Sequence, residues 1–106
     1  MPQNYFMIRH IVFLKSQGLL NQEVHAEVVR EVKSQLELLP AIIPGIDLFE
    51  VHHVLPIDAT SPDLVIVSEF ADMDALKAYL FHPAHLAFVE WNKDKCPKLA
   101  AADSLF

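Results

Sequence analysis

The chain has 106 residues, a mass of 12.0 kDa and a net charge of −6, with 14 acidic residues against 8 basic ones. This size predicts a single domain over residues 1–106, and the acidic balance argues against nucleic-acid binding, which needs clustered lysine and arginine. Hydrophobic residues make up 53% of the chain, a high share for so small a domain. No apolar run approaches the roughly 20 residues of a membrane span, so the excess predicts a surface that a partner covers.

The first residues and the numbers of cysteines and glycines indicate the cellular location and the cofactor to be expected. The first residues, MPQN, lack a basic segment followed by an apolar signal stretch, so secretion is not expected. Cys96 is the single cysteine, which excludes an internal disulfide and is typical of the reducing cytoplasm. Gly18 and Gly45 are the only glycines, so a glycine-rich phosphate loop is not expected. We therefore predict a cytoplasmic protein without a cofactor.

The first predicted element is a strand over residues 5–15, YFMIRHIVFLK, which is rich in aromatic and β-branched residues. Alternation along a strand places these side chains on two faces: Phe6, Ile8, His10, Val12 and Leu14 on one, and Met7, Arg9, Ile11 and Phe13 on the other. Both faces are largely apolar, so both should be covered.

An amphipathic helix is predicted next, over residues 22–39 after an N-cap at Asn21. Pro40 and the Pro44-Gly45 pair are expected to end this helix and to force a turn. Its apolar stripe recurs at helical spacing and comprises Val24, Val28, Val32, Leu36 and Leu39.

Two further strands are predicted over residues 46–55 and 63–70, followed by a helix over residues 73–81 that Asp72 caps. Pro83 disfavours helical torsions at His82 and suits the first turn of a new helix, which should run to residue 95 before Pro97. Residues 99–106 predict a short, alanine-rich final strand.

This order of elements predicts an α+β, ferredoxin-like fold, in which a split β-α-β-β-α-β arrangement forms four antiparallel strands with helices on one face. Such a sheet would leave its other face in water, although the first and third strands are apolar on both sides. A second copy packed sheet against sheet would bury both faces. We therefore predict a homodimer joined through the sheet face, as a dimeric α/β barrel.

The segments MIRHIVFLK, LLPAIIPGI and DLVIVSEFADMDALKAYLFHPAH resemble the stress-responsive dimeric α/β barrel (Dabb) domain family. Residues 79–85, YLFHPAH, are the most specific stretch, because a Tyr, a His-Pro pair and a second His at this spacing are uncommon by chance. The likeness runs from about Met7 to Asp103. It implies the same ferredoxin-like fold and homodimer.

A plant branch of this family cyclises polyketides by acid–base chemistry in a cavity between helices and sheet. The resemblance implies that His85 acts as the base, that Tyr79 assists and that His10 lies nearby. The chain departs from that branch at Leu64, where the cyclase has a histidine, and on the first helix, where Val32 or Leu36 replaces a tyrosine. The resemblance therefore implies a related cavity and not the same cyclisation. A set of apolar residues is expected to contact the ligand: Val12, Val32, Leu36, Leu64, Phe88 and Val89.

The residues themselves leave two interpretations open for each polar candidate. His85 falls on the apolar stripe of the last helix. It is either a general base or a buried histidine that is hydrogen-bonded to a carbonyl or to Tyr79. Tyr79 either donates to a bound ligand or packs as an aromatic core residue. His10 faces either the same pocket or the second subunit.

Two functions remain as hypotheses. The first is a small-molecule protein whose cavity binds or transforms an aromatic or polyketide-like compound without a cofactor; the second is a non-enzymatic, stress-related dimeric module. A cofactor-independent oxygenase of related barrel architecture is a third interpretation. The six histidines lack the tight spacing of a metal signature, and we expect no metal. The alternative to this expectation is a metal site formed by His10, His85 and a carboxylate such as Asp103.

Overall fold

A computed structural model describes residues 6–18 and 21–106. Tyr5, where the first predicted strand begins, lies outside these residues, as does the MPQN start. Within the described ranges the elements follow in chain order: β1 (Ile8–Leu14), α1 (Gln22–Glu37), α2 (Leu39–Ile42), β2 (Leu48–His53), β3 (Leu64–Phe70), α3 (Met73–Leu80), α4 (Pro83–Asn92) and β4 (Lys98–Leu105).

The four strands form one antiparallel sheet in the order β2-β3-β1-β4. The first strand occupies a central position, because it pairs with β3 on one side and β4 on the other. The split β-α-β-β-α-β arrangement predicted from the sequence is confirmed. Both predicted N-caps are present, since the side chain of Asn21 accepts from the backbone of Val24 at 2.9 Å and that of Asp72 accepts from Ala75 at 2.8 Å.

Several predicted boundaries differ from the structure, and three of the differences have a structural reason or consequence. Pro40 does not end the helical segment but lies in the first turn of the short helix α2, where a proline lacks no needed hydrogen bond. The last helix ends at Asn92, three residues early, because the Asn92 side chain instead bonds the backbone of Cys96. The final strand has the predicted eight residues but begins one residue earlier, at Lys98, and it is the longest strand of the sheet instead of a short one.

The core lies between the helices and one face of the sheet. Buried side chains alternate along β1 and β3, at Ile8, His10 and Leu14 and at Leu64, Ile66, Ser68 and Phe70. The buried stripe of α1 runs through Val29, Val32 and Leu36, whereas Val24, predicted to belong to it, is 44% exposed in the first turn.

The opposite face of the sheet, called here the outer face, has an apolar centre. Its register brings Ile11 opposite Val67 and Phe13 opposite Val65, and no helix of the described residues covers these side chains. At one end Arg9 forms an ion pair with Glu69 at 2.9 Å and lies 4.0 Å from the centre of the Phe106 ring. No helix in the described ranges is both long and apolar enough to cross a membrane.

Candidate functional site

A cavity of about 220 Å³ lies between the helices and the sheet. Its floor is the helix-facing side of β1, β3 and β4, and its walls are α1, α3 and α4. The lining is mainly apolar, with His10, Tyr79 and His85 as its polar members and Asn92, Lys93 and Lys98 beside them. The sequence left open whether His10 faces this pocket or a second subunit; its side chain lies on the pocket side.

Tyr79 lies at the centre of an aromatic cluster. Its position in the second turn of α3 follows from the Asp72 cap, and it is only 2% exposed. The ring centre lies 4.5 Å from that of His85, 5.3 Å from Phe70 and 6.3 Å from His10. These contacts hold the ring in one orientation.

The Tyr79 hydroxyl has no hydrogen-bond partner among the described residues. In those residues every fully buried side-chain nitrogen or oxygen does have a partner, so the hydroxyl must reach open space, which here is the cavity that Tyr79 lines. Burial raises the pKa of Tyr79 to about 12. The hydroxyl therefore keeps its proton and can donate it in a hydrogen bond to a ligand.

His85 occupies the first turn of α4, directly after the break at His82 and Pro83. The His82 side chain accepts from the backbone of Ala84 at 3.0 Å and so caps the new helix. The Nδ1–H of His85 donates to the Leu80 carbonyl at 2.9 Å, one of the oxygens left unbonded where α3 ends. This bond fixes the tautomer, and Nε2 carries the lone pair.

The pKa of His85 is lowered, first by burial and then by the neighbouring His10, while the hydrogen bond to Leu80 opposes the shift. The ring is therefore neutral at neutral pH and can accept a proton at Nε2. The bond to a backbone carbonyl is the one that the second interpretation of the sequence expected, and the imidazole also lines the cavity.

His10 is held from the neighbouring strand. It lies directly opposite Asp103 in the β1–β4 register, and its Nδ1–H donates to the Asp103 carboxylate at 2.5 Å. The Ser68 hydroxyl donates to the His10 carbonyl at 3.3 Å. From the sequence, Asp103 was a candidate only as a metal ligand, because alternation gives the face of a strand on which a residue lies and not its partner on the next strand.

Four of the six predicted apolar ligand contacts line the cavity: Val12, Leu36, Phe88 and Val89. The other two, Val32 and Leu64, are fully buried in the core and do not line it. Lys98 and Ala101, which the sequence did not single out, do line the cavity, because β4 continues the sheet past β1 on the helix side.

A second histidine–carboxylate pair, His25 and Asp63, lies away from this cavity. His25 donates to Asp63 at 2.8 Å and contacts the Ser16 hydroxyl at 3.1 Å. Although burial opposes ionisation, hydrogen bonds from the Ser16 backbone and from His25 hold the pKa of Asp63 below its usual value. These contacts tie the start of α1 to the sheet. No three His, Cys, Asp or Glu side chains of the described residues are grouped to hold a metal ion.

The comparisons with known proteins agree with this architecture. The model of the stress responsive A/B barrel domain family matches residues 8–106. No curated protein sequence matches the chain. A dimeric protein of unknown function and ferredoxin-like fold from Bacteroides fragilis is 29% identical, with a TM-score of 0.76, covering 96% of this chain and 98% of that one.

Two more distant structures share the fold. A dimeric ferredoxin-like protein of unknown function from Thermobifida fusca is 24% identical, with a TM-score of 0.72 and coverage of 96% and 91%. The hydroxynitrile lyase from Passiflora edulis is 18% identical, with a TM-score of 0.77 and coverage of 94% and 93%. Because the family model matches residues 8–106, nearly the whole chain, this chain belongs to the stress-responsive A/B barrel (Dabb) domain family.

Proposed function

We propose that the chain binds a small aromatic or apolar compound in this cavity and moves a proton on it without a cofactor. The observation that carries the proposal is the convergence of His10, Tyr79 and His85 on one mainly apolar cavity of about 220 Å³. Acid–base chemistry needs two proton-handling groups beside one reacting atom, and the Tyr79 and His85 rings lie 4.5 Å apart.

His85 is the proposed general base. Its Nδ1–H is committed to the Leu80 carbonyl, so a substrate proton would be taken by Nε2. The lowered pKa supports this role at neutral pH, because a neutral imidazole is the form that accepts a proton.

Tyr79 is the proposed donor to a ligand oxygen. When His85 takes a proton from a carbon beside a carbonyl, the negative charge moves to the carbonyl oxygen, where a hydrogen bond from the Tyr79 hydroxyl stabilises it. The enolate formed in this way is the species that a cyclase-like reaction needs to make a new carbon–carbon bond. His10, oriented by Asp103, lies beside the same space as a second acceptor.

The lyase-like alternative of this proposal has weaker support. A structure of the same fold is described as a hydroxynitrile lyase, but at 18% identity it supports the fold alone. The proposal therefore depends on the side chains of this chain and not on that neighbour.

Exchange of the methyl protons of acetophenone in D2O tests the proton transfer directly. Acetophenone has one aromatic ring and a carbonyl beside an exchangeable methyl group, and ¹H NMR follows the loss of the methyl signal. The protein should accelerate the exchange, and His85→Gln should slow it by a factor of about 10² or more. His53→Gln is the matched control, because His53 is exposed at the end of β2, pairs with Leu64 on the helix-facing side of the sheet and does not line the cavity.

Equal rates for the wild-type protein and His85→Gln would contradict the catalytic part of the proposal. A non-enzymatic binding module would then be the better function, provided that native mass spectrometry still detects a compound bound to the purified protein. A protein that neither accelerates exchange nor binds any compound would contradict the whole proposal.

The second part of the proposal is a homodimer through the outer face. Ile11, Phe13, Val65 and Val67 form an apolar centre on the outer face, opposite the helices. Isolated sheets bury such a face against another layer. The Bacteroides fragilis relative, described as dimeric, supports a second copy as that layer.

Light scattering at micromolar concentration tests the dimer, which should have twice the 12.0 kDa mass of the chain. Val67→Glu should give a monomer, because it places a charge in the apolar centre. Leu38→Glu, an apolar-to-acid change at an exposed position after α1, is the matched control. A monomeric wild-type protein would contradict the proposal.

A cytoplasmic location stays a prediction from the single cysteine.

A further inference from the structure

Two lysines lie beside the cavity, but only one of them has a charge partner. The Lys93 ammonium bonds to the Glu90 carboxylate on the same helical segment. Lys98 also lines the cavity, yet no carboxylate among the described residues pairs with its ammonium group. Lys98 is an exposed residue at the start of β4, so the edge of the cavity that it lines has an uncompensated positive charge.

An irregularity in the sheet places Lys98 at that edge. Phe13 pairs with Ala100 in the β1–β4 register, so the next residue of β1, Leu14, would pair with Leu99 in a regular ladder. Leu14 pairs instead with Lys98, because the register shifts at this point. Leu99 is the extra residue of the bulge, and it is 53% exposed and outside the cavity lining.

The bulge reverses which side chain faces the helices. Leu14 is buried on the helix-facing side, and its partner in the ladder shares that side. A regular ladder would therefore offer the cavity a leucine, whereas the bulge offers it a lysine. Bulges are common beside binding sites, where they redirect one side chain.

The connection before Lys98 is held by Asn92. The Asn92 side chain accepts from the backbone of Cys96 at 3.1 Å and donates to the Cys96 carbonyl at 2.8 Å. Both ends of this buried amide are used, so Asn92 fixes the turn and has little left to offer a ligand. Lys98 follows two residues later, after Pro97, and its backbone position is thereby determined.

We propose that Lys98 binds the carboxylate of the cavity's ligand, which is a small carboxylic acid with an apolar body of about one ring. This proposal rests on the binding function proposed above and names its ligand class. A cavity of about 150 Å³ holds benzene, so about 220 Å³ admits one ring with a short substituent. The ammonium group of Lys98 attracts a carboxylate locally, whereas the net charge of −6 opposes the approach of an anion to the rest of the surface.

Benzoate and benzamide are the probes, since they have nearly the same shape and differ in charge. Titrations followed by NMR should show that the wild-type protein binds benzoate about five-fold more tightly than benzamide, the scale of a partly exposed ion pair. Lys98→Met should abolish this preference and Lys98→Arg should retain it. The preference should also shrink as salt is added.

Lys77→Met is the matched control, because Lys77 is exposed on α3 and does not line the cavity. Equal affinity of the wild-type protein for the two probes, or an unchanged preference in Lys98→Met, would overturn the proposal. Binding of neither probe would overturn it as well. Acetophenone exchange separates the two proposals. If the protein accelerates exchange but does not prefer benzoate, the proposed acid–base function stands and the role of Lys98 is wrong. If it prefers benzoate but does not accelerate exchange, the role of Lys98 stands and the proposed acid–base function is wrong.

Discussion

Replacing Tyr79 by phenylalanine distinguishes a hydroxyl that serves a ligand from one that holds the fold. The ring is 2% exposed and packs against Phe70 and His85, and phenylalanine keeps all of these contacts. The hydroxyl has no partner among the described residues, and a buried polar group without a partner costs about 1–3 kcal/mol. Because this hydroxyl reaches the cavity, we expect the lower end: Tyr79→Phe should leave the free energy of unfolding unchanged or raise it by up to about 1 kcal/mol.

Ser68→Ala is the matched control, since it also deletes one hydroxyl from the core. Ser68 is fully buried and donates to the His10 carbonyl at 3.3 Å, so its loss should lower the free energy of unfolding by about 0.5–1.5 kcal/mol. For a domain of this size 1 kcal/mol corresponds to a shift in Tm of about 4–8 °C. Urea and thermal unfolding measure both variants.

The reasoning is refuted if Tyr79→Phe destabilises the protein as much as Ser68→Ala does, because the hydroxyl would then have a structural partner. Tyr79→Phe should instead be impaired in function, with slower acetophenone exchange at unchanged stability. A variant that is both fully stable and fully active would show that the hydroxyl does not contact the ligand.

Three further predictions concern stability and reactivity. Burial lowers the pKa of His85, so below about pH 6.5 the unfolded state binds more protons than the folded state. The free energy of unfolding should therefore fall as the pH drops from about 6.5 towards the lowered pKa, and then level off. Urea titrations of His85→Gln should lack this part of the pH dependence, and an unchanged profile would contradict the prediction. Burial, aided by the charge of Asp63, raises the pKa of Cys96 to about 12, so iodoacetamide should label the thiol only after unfolding, and rapid labelling of the native protein, seen by mass spectrometry, would count against a closed core. Asp72→Ala removes the cap of α3 and should cost about 1 kcal/mol in urea unfolding; no loss would mean that packing alone defines this helix end.

Much of the fold follows from local patterns in the sequence. Asn21 and Asp72 mark helix starts that the structure confirms, because a side-chain oxygen before an apolar stripe satisfies backbone groups within three residues. Strand alternation correctly separates the two faces of β1. The His-Pro break before His85 was also readable, since proline restricts the residue before it.

Only part of the candidate site could be predicted from the sequence. The family resemblance pointed to Tyr79, His85 and His10, which line the cavity. It gave no reason to separate Leu36, which also lines the cavity, from Val32, which is buried in the core. Both occupy the apolar stripe of α1, one turn apart. A stripe indicates that a residue faces the core and does not indicate where the core leaves a gap.

Contacts between distant residues were decided by tertiary structure. Asp103 holds His10 across 93 positions of sequence, and Lys98 faces the cavity only because the ladder shifts by one residue after Phe13. Periodicity assigns each strand two faces but is silent on register, and a shift of one residue moves every following side chain to the other face. Register depends on how two strands meet, so the amino-acid pattern determined the elements and the apolar excess, while the pairing of β1 with β4 determined which groups surround the cavity.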